Sequence, residues 1–198
     1  MANLTPIQPH NPDELPKDLP VPKDDGACDH LLGMQIPEGV ALQSHIGRLV
    51  DVAEASRSRA VFFFYPRTGK PGVDSPKGWD QIPGARGCTP ESCSYRDHYL
   101  EFKRLGYAVY GVSTQSTEDQ KEFADRSAIP YEVLSDSKLD LTNALNLPTF
   151  KVDELQISLI KRLTLVVKEG RIVKVFYPVF PPDKNAIEVL EYLKMSVV

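Results

Sequence analysis

The sequence predicts an α/β sandwich in which a central mixed β-sheet is flanked by helices. Three observations carry this. Ala60-Val-Phe-Phe-Phe-Tyr65 and Tyr107 to Ser113 (YAVYGVS) are short, continuous runs of aromatic and β-branched residues, the pattern of strands buried on both faces. Between them, Tyr95, Tyr99 and Phe102 recur at i, i+4 and i+7, one face of a helix. Near the C-terminus, Lys161–Val167 and Arg171–Tyr177 flank Lys168-Glu169-Gly170, a good three-residue hairpin loop.

Taken in order, residues 1–26 differ from the rest. Pro6, Pro9, Pro12, Pro16, Pro20 and Pro22 recur among Asp, Lys and Asn, and each proline fixes φ and removes a donor. An extended strap on the domain surface and a disordered leader both fit this segment. Residues 27–198 form the globular domain. Its first strand, Ala60–Tyr65, ends at Pro66. A helix follows over Pro90–Leu105, with Thr89 as cap, Pro90 in the first turn and Gly106 just past the end. Strand, helix, strand makes a right-handed βαβ unit with a parallel strand pair. Ser116–Ala128 is a second helix, opened by Ser116-Thr117-Glu118 and closed before Pro130. After the hairpin and Pro181-Pro182, Asp183 caps a last helix with Ile187, Leu190 and Leu193 facing inward. This order, βαβ, helix, hairpin, helix, is that of a thioredoxin-like sandwich.

Composition narrows the function. Length 198 suits one domain with a sizeable core, and 41% apolar with 25% charged residues excludes wholesale disorder. Lys plus Arg number 23 against 27 for Asp plus Glu, a net charge of −4, which gives no basic footprint for nucleic acid or an anionic membrane. Apolar runs such as Ala60–Tyr65 fall far short of the roughly 20 residues that span a bilayer. The N-terminus has no apolar signal region, and three cysteines are too few, and odd, for a secreted disulfide scaffold. The expectation is a soluble cytoplasmic protein.

Cys88 stands at the mouth of the helix after the first central strand, where unpaired N–H groups and the helix dipole favour a thiolate. Its pKa is therefore expected below the free value of roughly 8.5, with Arg86 adding positive charge. Local context alone leaves a reactive and an inert thiol equally open. Cys93 follows five residues later, and by itself reads as a small helix residue. Five residues of helix separate two side chains by about 7.5 Å of rise, and a disulfide needs Cα atoms within roughly 7 Å. The two cysteines can pair only if that turn unwinds. A zinc site of Cys28, His30, Cys88, Cys93 and His98 lacks the tight ligand pairs such sites use, so no metal is expected. Cys28 reads as a passive small residue, and His10 and His45 as solvated.

Phe62-Phe-Phe-Tyr-Pro66, Gly87-Cys-Thr-Pro-Glu-Ser-Cys-Ser-Tyr-Arg-Asp97 and Arg162-Leu-Thr-Leu-Val-Val167 resemble the peroxiredoxins, most closely their Q-type branch. Val109–Ser113 and Pro130–Asp136 match further segments of that family, and the resemblance covers roughly residues 33–194. It implies that Cys88 is the peroxidatic cysteine, that Cys93 resolves it in an intramolecular disulfide, and that Arg162 holds the thiolate and the peroxide oxygens. It implies a hydroperoxide substrate, a thioredoxin- or glutaredoxin-type reductant, no cofactor, and a monomer or weak dimer. The family's Pro-x-x-x-Thr/Ser-x-x-Cys run is broken here. Pro66 matches its proline, but about 15 residues, Gly69–Pro83 with Trp79 among them, are inserted before Cys88, and Ala85 stands where the hydroxyl belongs. Thr68, or else Ser75, is the candidate replacement. The alternative is a non-enzymatic redox sensor on the same fold, motivated by Ala85 and the insertion. A disulfide reductase is disfavoured by the lack of C-x-x-C.

Overall fold

The computed structural model describes residues 11–152, 154 and 158–196. Its elements are β1 (Ala41–Ser44), β2 (Leu49–Asp51), α1 (Val52–Ala55), β3 (Arg59–Phe64), α2 (Cys88–Asp97), α3 (Tyr99–Arg104), β4 (Ala108–Ser113), α4 (Thr117–Arg126), β5 (Glu132–Ser135), α5 (Asp140–Ala144), β6 (Thr149–Lys151), β7 (Ser158–Ile160), β8 (Leu163–Lys168), β9 (Arg171–Phe176) and α6 (Asn185–Met195). Seven strands form one mixed sheet in the order β2-β1-β5-β4-β3-β8-β9, and β6 and β7 form a separate antiparallel pair.

The expected architecture is present. β3 lies inside the sheet, parallel to β4 and antiparallel to β8. Because side chains alternate across a strand, Val61 and Phe63 enter the core under α2 and α6, while Ala60, Phe62 and Phe64 enter the core on the opposite face. Each fully buried Phe contributes about 1.5–3 kcal/mol through apolar burial. The helix between the strands ends as expected. Gly106 adopts φ +77, and the N–H groups of Gly106 and Tyr107 donate to the carbonyls of Lys103 and Phe102, which satisfies the last helical turn. Ser116 accepts from the N–H of Asp119 and caps α4.

Several local expectations are corrected. The helix over Pro90–Leu105 is two helices, interrupted at His98 (φ −102, ψ 5). Its periodicity survives the break, since Tyr95 and Phe102 are both buried, so spacing could not reveal it. It also begins earlier, at Cys88, because Gly87 (φ +97) turns the chain, and Thr89 does not cap it. The hairpin loop has two residues, Glu169 and Gly170, both at positive φ, with Lys168 paired to Arg171. Asp183 falls in a short 3₁₀ turn and caps nothing. On α6 the inward stripe is Ala186, Val189, Leu190 and Leu193, whereas Ile187 is 37% exposed. His45 is buried rather than solvated: its Nδ1 accepts from the N–H of Val133, extending the β1–β5 ladder, and burial lowers its pKa.

Residues 11–25 lie along the domain as a strap. Pro12 is buried, the Asn11 carbonyl accepts from Arg86 Nη2 at 3.1 Å, and Asp25 takes Lys161 Nζ and Tyr177 Oη, each at 2.7 Å. Pro6, Pro9 and His10 lie outside the described residues.

Candidate active site

Three chain segments converge where β3 and β4 end. Pro66 follows β3, and its carbonyl accepts from Ser113 Oγ at 3.1 Å, which ties the two strand ends together. The inserted residues then loop outward. They return through a 3₁₀ turn, Trp79–Gln81, whose Trp79 packs with Ala85, Val152 and Leu159 in a small core of its own. The returning chain enters α2 through Gly87. A side chain there would collide with Pro182 Cγ and meet Leu15 Cδ1 at 2.8 Å, so both the positive φ and the crowding demand glycine.

This path delivers Cys88, 3% exposed, to the guanidinium of Arg162. Arg162 Nη2 donates to Cys88 Sγ at 3.1 Å, and the thiol itself donates to the Ala85 carbonyl at 3.5 Å. The same guanidinium holds the preceding turn. Its Nε donates to the Gly84 carbonyl at 3.3 Å, and Nη2 reaches the carbonyls of Ala85 and Arg86 at 3.3 and 3.1 Å. Nη1 pairs with the fully buried carboxylate of Glu91, one helical turn beyond Cys88. Arg86 binds Asp80 of the insertion through Nη1 at 3.0 Å and the Asn11 carbonyl of the strap through Nη2.

A cavity of about 20 Å³ opens beside Cys88, with Pro12, Trp79, Arg86 and Thr89 among its walls. Thr68 is buried, but it is not a wall of this cavity, and its hydroxyl and N–H both donate to Gln115 Oε1, at 3.1 and 2.7 Å. Cys93 is half-buried on the same helix as Cys88, and neither is disulfide-bonded. Cys28 is buried in the core on the opposite face of the sheet, where burial and neighbouring aspartates push its thiol up to about 12. That separation keeps it away from Cys88. Among the described residues, no three His, Cys, Asp or Glu side chains are grouped to hold a metal ion.

The profile of the redoxin family matches residues 31–191. A chloroplastic peroxiredoxin Q of Sedum lineare is 30% identical over 159 residues, which are 80% of this chain and 75% of that protein. The chain belongs to the Q-type peroxiredoxins. A second chloroplastic peroxiredoxin Q, from Gentiana triflora, is 28% identical over 162 residues, and the chain spans 66% of its length. In fold, this peroxiredoxin is similar to peroxidoxin BcpB of Mycobacterium tuberculosis (TM-score 0.66, 23% identity, covering 83% of this chain and 96% of that one). It is likewise similar to PrxQ of Xylella fastidiosa (TM-score 0.67, 21% identity, 84% and 97%).

The electrostatics of this peroxiredoxin site correct one expectation. The helix mouth suggested a depressed Cys88 pKa. Instead burial raises it, more than Arg162 and the backbone N–H of Arg67 bring it down, and Glu91 adds to the rise. Burial also lifts Glu91 itself to about 7, against the pull of Arg162. Glu91 is the residue that the sequence reading missed. An acid in a first helical turn ordinarily reads as a solvated charge favoured by the dipole. The available signal was its i+3 spacing from Cys88, which puts both side chains on one helix face.

Proposed function

We propose that this peroxiredoxin is a thiol peroxidase. The observation that carries the reading is the 3.1 Å contact between Arg162 Nη2 and Cys88 Sγ at a cavity beside a helix N-terminus. Cys88 is the peroxidatic residue. Its thiolate attacks the terminal oxygen of a hydroperoxide, the S–O bond forms as the O–O bond breaks, and the leaving oxygen takes up a proton as alcohol or water. Arg162 keeps its proton at any working pH and so always favours the thiolate over the thiol. Pro66 shapes the turn beneath the site, and Gln115 binds Thr68 firmly enough that Thr68 acts through the loop.

Cys93 then attacks the sulfenic acid, releasing water and leaving an intramolecular disulfide. A dithiol protein of the thioredoxin or glutaredoxin type reduces it by exchange. Both cysteines lie on one helix, so a monomer suffices. An unpaired third cysteine suits a reducing compartment, which favours the cytoplasm. The narrow cavity, about 20 Å³ and open to solvent, favours hydrogen peroxide over bulky organic hydroperoxides. The sensor alternative is weaker, because neither Ala85 nor the insertion disturbs the Cys88–Arg162 contact.

Peroxide titration with mass spectrometry tests the assignment. Cys88→Ser is expected to abolish peroxide consumption, and Cys93→Ser to stop after one turnover with a trapped sulfenic acid on Cys88. Peroxide consumption at the wild-type rate by the Cys88→Ser protein overturns it.

A further inference from the structure

Thr89 has been lost as a helix cap, and the structure gives its hydroxyl no other structural task. Its side chain is 2% exposed, and its Oγ1 has no hydrogen-bond partner among the described residues. A buried hydroxyl left unpaired costs about 1–3 kcal/mol, so the position calls for an explanation. Burial alone supplies none, because valine would fill the same volume without the unpaired oxygen.

The cavity supplies one. Thr89 is a wall of the same cavity as Cys88, on the adjacent residue of the same first helical turn. The hydroxyl of Thr68, by contrast, is bound to Gln115. Ala85 has none to offer. A peroxide presents two oxygens. As the thiolate forms its bond to one, the electron pair of the O–O bond moves to the other, which develops negative charge and must gain a proton. The guanidinium of Arg162 is largely committed, to three backbone carbonyls and Glu91 as well as to Cys88. A second donor at the cavity wall is what the departing oxygen lacks.

We propose that the Thr89 hydroxyl is a catalytic group of the peroxidase reaction, binding the peroxide in the cavity and donating a hydrogen bond to the leaving oxygen. The proton finally gained by that oxygen balances the one lost by the Cys88 thiol, so thiol plus hydroperoxide gives sulfenic acid plus alcohol or water. No further reactant is required. The assignment rests on the peroxidase reading and sharpens it, since a hydroxyl in this place compensates for Ala85.

The test compares two reactions of Cys88 in the full chain, oxidation by hydrogen peroxide and alkylation by iodoacetamide, in the wild type and in Thr89→Val and Thr89→Ser. Valine is expected to slow the peroxide reaction by roughly a hundred- to a thousandfold, the order lost when one preorganised donor is removed. It should leave the alkylation rate and its pH profile within about twofold, because the hydroxyl acts on the peroxide and not on the sulfur. Serine should restore most of the peroxide rate. Valine also removes an unpaired polar atom, so the variant should melt no lower than the wild type; Thr89→Ala provides an independent second removal of the hydroxyl. The proposal is overturned if Thr89→Val and Thr89→Ala react with peroxide at the wild-type rate, or if peroxide and iodoacetamide rates fall together. A wild-type Cys88 that peroxide does not oxidise would instead remove the peroxidase reading on which the proposal stands.

Discussion

Arg162 divides one positive charge between two buried acidic partners, Cys88 and Glu91. The carboxylate competes for the guanidinium and raises the Cys88 pKa. Glu91→Gln removes the competing charge while keeping an oxygen that can accept from Nη1, so the Cys88 pKa should fall. The sign follows from charge: a neutral neighbour no longer opposes formation of the thiolate. The midpoint of iodoacetamide alkylation against pH is expected to move down relative to the wild type. The difference should be largest above about pH 7, where Glu91 is ionised. A midpoint that stays or rises would refute the competition. Removing the carboxamide too, as in Glu91→Ala, leaves the buried guanidinium short of a partner and should cost about 3–5 kcal/mol of stability. Both the Cys88 position and Arg162 were legible, because a cysteine between glycine and Thr-Pro marks a helix mouth and the R-x-T strand matched its family. Glu91 and Thr89 were not, because whether an acid or a hydroxyl is buried depends on which distant segment covers it.

At the scale of elements, the proposed peroxidase cycle conflicts with helix α2. Cys88 and Cys93 both lie within its regular Cys88–Asp97 span, with about 7.5 Å of rise between them, and a disulfide tolerates roughly 7 Å between Cα atoms. The proposed Cys88–Cys93 disulfide therefore requires the first turn to unwind. The later part of the helix is held: Tyr95 is fully buried, and its hydroxyl donates to Asn185 Oδ1 at 2.6 Å. The amides of Thr89–Cys93 are expected to exchange faster by orders of magnitude in the oxidised protein, with little change around Tyr95 and Phe102. Hydrogen exchange on the two redox forms, with the Cys88–Cys93 bond verified, measures this; equal protection would show that the disulfide forms without unwinding. This helix also shows what pattern reading does and does not resolve. Burial periodicity located it, and the long apolar runs located β3, β4 and β8. The dihedral break at His98 leaves that periodicity intact, while β1, β2, α1 and α5 have only three to five residues each, too few for any period to register.

Across the whole molecule, the N-terminal strap and the loop that runs from β3 to α2 meet beside Cys88. The strap contributes Pro12 and the insertion contributes Trp79 to the walls of the Cys88 cavity, and Arg86 joins them by binding the Asn11 carbonyl with one nitrogen and Asp80 with another. Leu15 fastens the strap further along, against Gly87. Between these walls the cavity measures about 20 Å³ and is open to solvent, so an aromatic hydroperoxide must press against the strap or the insertion to bring its peroxide oxygens to Cys88. Forcing one in would cost about 1–3 kcal/mol of overpacking, which corresponds to roughly ten- to a hundredfold in rate. The wild type is therefore expected to react with hydrogen peroxide at least about tenfold faster than with cumene hydroperoxide. Leu15→Ala and Asp80→Ala each loosen one fastening while leaving the residues that line the cavity unsubstituted, and the Asp80 side chain is 52% exposed, so folding should tolerate its loss. Each should raise the cumene hydroperoxide rate several-fold and leave the hydrogen peroxide rate within about twofold. Stopped-flow oxidation of Cys88 by the two peroxides decides the matter. If the wild type prefers the bulky peroxide, or if both variants alter the two rates in parallel, then the strap and the insertion do not select the substrate, and their meeting above Cys88 serves the stability of the turn alone.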